Sequence, residues 1–137
     1  MSSGVSIDDK CVEVYQELKL GKKYRYAFFG LSADLKQVIL VSTGTESDYK
    51  SFADQFPKDE CRYAVYDFNY TKADGEERNR ILFFLWTPEG AKVQRRMIAT
   101  SAKDALRKKF VGIGTEIQAT EAAEVSYDAV LARVRAA

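Results

Sequence analysis

No histidine occurs among the 137 residues of this chain. That absence removes the usual neutral-pH general base, the imidazole of nucleophilic triads and the commonest metal ligand. Cysteine is scarce as well. Cys11 and Cys61 stand far apart, with no CxxC or ligand-type spacing. They read as two small buried thiols, and a disulfide is left open should the fold bring them together. No apolar run approaches the roughly 18 residues of a membrane span. The opening MSSGVSIDDK lacks the charged and apolar regions of a secretory signal, so a cytoplasmic protein is expected. Net charge is nearly absent too, at +1 from 21 basic and 20 acidic residues. A general polyanion binder carries a strong positive excess, so no specific nucleic-acid partner is expected. HExxH, GxSxG, Walker and acidic metal-loop patterns are all missing, and neither an enzyme nor a cofactor is expected.

What is present suits one domain. Apolar residues make up 46% and charged residues 30% of a chain large enough to bury a core without metal or disulfide. Residues 1–5 read as a flexible arm, and Ser6 as the N-cap of a helix whose stripe is Cys11, Val14, Tyr15 and Leu18. Runs 24–31 and 36–42 are β-branched and aromatic and predict a hairpin. Tyr49, Phe52, Ala53 and Phe56 share helical spacing up to Pro57. Residues 61–70 and 80–86 are apolar with little alternation, the pattern of strands covered on both faces. A short strand at 116–120 and a last helix carrying Tyr127, Val130, Leu131 and Val134 follow. The order αββαββαβα predicts an α/β (α+β) domain over residues 1–137, a five-stranded mixed sheet with helices on both faces.

Charge is uneven along the chain. Residues 92–109 hold seven basic side chains and one acid, Asp104, so this stretch is about +6 and the remainder about −5. The segment also has helical spacing. At about 100° per residue, Ala91, Ile98, Ala102, Ala105 and Leu106 fall in one sector and predict the core stripe. Val93, Arg96, Met97, Thr100, Lys103, Asp104 and Arg107 fall on the far side. Two apolar side chains set among cations fit the centre and rim of a docking surface. Periodicity leaves a second reading open, an ordinary charged face with two stray hydrophobes.

Four blocks carry a resemblance: ELKLGKKYRYAFFGL at 17–31, DECRYAVYDFNY at 59–70, the stretch 83–120 and AAEVSYDAVLARV at 122–134. The third is the most diagnostic, with Trp86-Thr87-Pro88, then Val93-x-x-Arg96-Met97, then Ser101-x-Lys103-Asp104. Over essentially its whole length the chain resembles the actin-depolymerising factor/cofilin family. The resemblance implies the ADF-homology (gelsolin-like) fold and a monomer that binds ADP-actin monomers and filament sides. It further implies that filaments are severed and depolymerised, speeding actin turnover in the cytoplasm, with the nucleus as a second location. Matched residue by residue, the actin monomer and filament surface is Ser3, Gly4, Val5, Arg96, Met97, Lys103, Asp104, Arg107 and Lys108, to which helical geometry adds Val93. A filament-only surface matches Arg78, Arg80, Arg133 and Arg135. Ser3 matches a phosphorylated serine, where a phosphate adds about −1.5 to −2 charge. Phosphatidylinositol bisphosphate on the cationic helix and a WD-repeat actin-interacting cofactor are further implied partners.

The match has departures. Gln94 stands where the family carries a base and Arg95 where it carries a small residue, Ala132 replaces an acid, and Ala99 replaces an aromatic. Two alternatives stay open: a non-severing ADF-homology binder of filaments or branch complexes, and a phosphoinositide-binding module.

Overall fold

The computed structural model describes residues 4–136. Its central strands, β4 (Arg62–Thr71) and β5 (Glu77–Trp86), are nearly continuous apolar runs because both of their faces are covered. Tyr63, Val65, Ile81, Phe83 and Leu85 point to one side of the sheet, with α1 (Asp9–Lys19) and α3 (Val93–Lys109) packed over them. Ala64, Tyr66, Phe68, Leu82, Phe84 and Trp86 point to the other, beneath α2 (Tyr49–Ala53) and α4 (Tyr127–Ala136). The second layer is largely aromatic. Phe52 alone has ring neighbours in Tyr26, Phe28, Tyr49, Phe56, Tyr66 and Phe84.

The sheet order is β1-β3-β2-β4-β5-β6. Strands β2 (Tyr26–Leu31) and β3 (Gln37–Gly44) form the first hairpin, β4 and β5 the second, and both pairings are antiparallel. The edge strands β1 (Ser6–Ile7) and β6 (Thr115–Ala119) run parallel to their neighbours β3 and β5. Six strands replace the expected five. The sixth is β1, too short to show periodicity, yet fixed by hydrogen bonds from Ser6 N–H to the Lys36 carbonyl and from Asp8 N–H to the Val38 carbonyl.

Pairing of that segment corrects two further expectations. Ser6 is a strand residue, and Asp8 occupies the N-cap position of α1. Val5, expected in a flexible arm, is buried in the α1/α3 core. The second helix also ends at Ala53, four residues before the proline expected to stop it, although Phe56 stays in the core.

Helix α3 is set at both ends by geometry. Gly90, just ahead of it, lies so close to the chain at Lys58 that a Cβ would meet that carbonyl oxygen at 2.3 Å. Past its end Gly112 takes a left-handed conformation at φ +98°, which lets the chain turn toward β6. The turn is tied back to α1, since Tyr15 Oη and Lys19 Nζ both donate to the Val111 carbonyl, at 2.8 and 2.7 Å. Both thiols, Cys11 and Cys61, are buried and free.

Candidate functional site

Helix α3 buries Ala99, Ala102 and Leu106, whereas Ile98 and Ala105 are only half-buried. Ala102 and Leu106 lie in the core as expected, and the exchange of Ile98 and Ala105 for Ala99 turns the stripe by about 50°, half of one residue's step. Ala91 is buried as expected, but it lies ahead of the helix. Tyr63 lies in the same core layer as this stripe. Its ring is buried beneath the helix and its hydroxyl donates to the Ala99 carbonyl at 2.5 Å, so the helix sits with its alanines against the sheet.

The outward face is the one expected at its centre. Met97 is 67% exposed and Val93 60%, one helical turn apart, and both stand clear of the core. Thr100, Asp104, Arg107 and Lys108 are exposed around them. Gly4 is exposed, whereas Val5 faces inward, so Val5 is corrected from surface to core. Ser3 lies outside the described residues. Arg96 is half-buried, and its Nε is covered and unbonded among the described residues. It lies near Cys61: burial pushes that thiol up, and the charges of Arg96, Arg62 and Arg95 pull against the rise.

Lys103 differs from expectation. It is half-buried on the flank of α3, with its Nζ 2.8 Å from Glu116 Oε2 and 3.5 Å from Asp104 Oδ1. Arg107 Nε meets the other Glu116 oxygen at 3.1 Å. Gln118 Nε2 donates to Oε2 at 2.7 Å as well. A carboxylate on β6 thus stands against two of the cations that helical geometry had aimed at a partner. Burial alone would raise the Glu116 carboxyl. The hydrogen bonds from Lys103 and Gln118 and the charges of Lys103 and Arg107 outweigh it, holding the group below its ordinary value. The hydrogen bond to Glu116 raises Lys103 in turn. Nothing in the sequence pattern singles out Glu116, because its partners lie 13 and 9 positions away on a different element.

These shifts predict acid behaviour. A carboxyl held below its unfolded value of about 4.3 stabilises the fold above that pH, and the contribution disappears as pH falls through the folded value. Urea midpoints should therefore decline from about pH 5 downward. Glu116→Gln should show a smaller decline over the same range. An identical acid limb in both proteins would remove Glu116 from the account.

The four arginines of the expected filament surface divide. Arg78 and Arg80 on β5 and Arg135 on α4 line one concavity of about 490 Å³, together with Lys72, Tyr70 and Val134. Arg135 donates through Nε and Nη2 to the Thr71 carbonyl, while Arg80 reaches Thr115 Oγ1 and lies over Gly114. Arg78 has an acid beside it, Glu76 at 3.0 Å, and Lys72 has Asp74 at 4.0 Å. Arg133 stands apart, donating to the Glu116 carbonyl at 3.2 Å. Lys72 is a further cation of the group, missed because it sits in a hairpin loop where charge is ordinary.

Among the described residues no cluster of three or more His, Cys, Asp or Glu could hold a metal, and no helix is long and apolar enough to cross a membrane. An exposed apolar pair beside cations on one helix, with a separate arginine-lined hollow, has the make-up of a surface suited to a macromolecular partner. Residues 4–135 match the family described as Cofilin/tropomyosin-type actin-binding protein, and the chain belongs to that family. It is 48% identical over 134 residues to a cofilin of Mycosarcoma maydis, covering 98% of this chain and 96% of that one. It is 42% identical to actophorin of Acanthamoeba castellanii, at 97% and 96% coverage. Its backbone matches the crystal structure of Streptomyces griseoflavus cofilin with a TM-score of 0.89 and 40% identity, over 96% and 97% of the two chains.

Proposed function

We propose that this protein binds ADP-actin monomers through the outward face of α3, and binds, severs and depolymerises filaments with the help of the arginine-lined hollow. The observation that carries the reading is the exposure of Val93 and Met97 on a helix whose flanks are cationic. Exposed apolar side chains at the centre of a polar rim suit an apolar cleft on a partner, and Arg96, Arg107 and Lys108 suit acids around it. An interface of roughly 800 Å² per partner would suffice. Action is by binding, in the cytoplasm at the actin cytoskeleton, with the nucleus as a second location.

The two surfaces lie on different elements, α3 for one and β5 with α4 for the other. A monomer needs only the first. Holding two adjacent filament subunits through both would favour whichever filament twist binds better, and only that differential affinity can shift the twist. Phosphatidylinositol bisphosphate would compete with actin, because its headgroup pairs with the same α3 cations. A phosphate on Ser3 would act in the same sense, placing negative charge beside an acidic partner. A WD-repeat cofactor would act on filaments already carrying this protein.

Separation of the surfaces is directly testable. Arg78→Ala with Arg80→Ala should lower filament affinity in co-sedimentation about tenfold, or ~1.4 kcal/mol. Monomer affinity should not change. Equal loss of both activities would end the division into two surfaces.

A further inference from the structure

Resting on the α3 docking face proposed above, we infer that Glu116 is a positioning residue that aims Arg107 at the partner, with Lys103 held back as its counter-charge. The geometry distinguishes the two cations. Lys103 has a side chain only 18% exposed, and its ammonium is engaged by Glu116 and Asp104. Arg107 has a side chain 42% exposed, with its Nε 3.1 Å from Glu116 Oε1. A guanidinium has five N–H donors in a rigid fork. The ion pair holds the Nε end of the guanidinium beside Glu116, and the terminal nitrogens are the donors with which Arg107 would receive a carboxylate. An ammonium on a flexible stem offers no comparable directionality.

Glu116 is itself held on every side. Oε2 accepts from Lys103 and Gln118, Oε1 faces Arg107, and its backbone carbonyl accepts from Arg133. It stands on β6, which pairs with β5 in register from Leu82 to Trp86, so the carboxylate sits on the sheet and not on a loop. The arrangement also answers a difficulty within α3. Lys103 and Arg107 are four residues apart, where like charges repel, and one carboxylate between them removes that repulsion. The acid therefore prepares the positive face for an acidic partner, although by sign alone it would repel one.

The test is a double-mutant cycle on the full chain, with fluorescently labelled ADP-actin monomers as the binding probe. Arg107→Ala and Glu116→Gln should each weaken binding roughly five- to tenfold, and the double variant should be no weaker than Arg107→Ala alone within about twofold. Glu116→Gln adds positive charge, so its association rate should hold or rise while dissociation becomes faster, a division that loss of fold would not produce. Lys103→Met should cost threefold or less. Additive losses in the cycle, tighter binding by Glu116→Gln, or a Lys103→Met loss as large as that of Arg107→Ala would each overturn the proposal. Met97→Glu separates the two levels of inference. If it destroys binding while the cycle is additive, only the role of Glu116 fails. If it leaves binding intact, the docking face fails and this role with it.

Discussion

Replacing Arg96 by Ala and Met97 by Glu together is expected to weaken ADP-actin monomer binding a hundredfold or more without disturbing the fold. Met97 is 67% exposed, so its native side chain contributes little to the core. Glutamate is a good helix former, and surface substitutions of this kind usually change stability by less than about 0.5 kcal/mol. In the complex the cost is large. A carboxylate would enter the space meant for a thioether, desolvated and facing acids. Among the described residues the Arg96 Nε is covered and without a hydrogen-bond partner. Truncating two central interface groups at about 1.5 kcal/mol each gives roughly the hundredfold loss. Lys103 is the wrong second site for this experiment. Its ammonium is engaged by Glu116, and its loss should cost binding threefold or less. The check is a titration of labelled monomers beside urea midpoints; full affinity in a folded double variant would refute the docking face.

Much of this surface was legible in the sequence because a helix converts spacing into direction. Val93 and Met97 are four apart and land on one face whatever the remainder of the fold does. The same rule placed Ala102 and Leu106 in the core but missed the setting of α3 by about 50°, half of one residue's step. Ile98 is more apolar than Ala99, so hydropathy centred the stripe on it. The structure buries Ala99 in its place, with the Tyr63 hydroxyl donating to the Ala99 carbonyl.

Long-range pairing was the other blind spot. Glu116 has no feature in its own neighbourhood that marks it, and its meaning comes from the register that brings β6 alongside β5 under the C-terminal half of α3. β1 was missed for the same reason, since two residues have no period and their partners lie thirty positions on. The covered strands, by contrast, were legible at once. An apolar run without alternation has only one economical solution, layers on both sides, and the two core clusters are those layers. The resemblance supplied the filament arginines, and their geometry divided them, three to the hollow and Arg133 to β6.

The largest effect on stability should come from Phe52→Ala. Phe52 is fully buried, with ring centroids of six aromatic neighbours between 4.7 and 5.4 Å away. It is carried by α2, a five-residue helix that could not persist in isolation and is held chiefly by this anchor. Neighbouring rings are rigid and cannot collapse into the void, so the loss should reach about 3–5 kcal/mol of a total near 5–15 kcal/mol. Tm should fall by more than about 10 °C. The cavity opens on the α2/α4 side of the sheet, away from α3. Molecules that remain folded at low temperature should therefore bind ADP-actin monomers with the parent affinity. Phe110→Ala supplies the contrast, because Phe110 stacks on Tyr15 at the end of α3 in the other core layer. That variant should lose stability and monomer affinity together. Thermal melts and low-temperature titrations of the two variants decide the matter. Equal effects on binding would mean that the two layers are mechanically coupled through the sheet, and the docking helix would then depend on the whole core and not on its own layer.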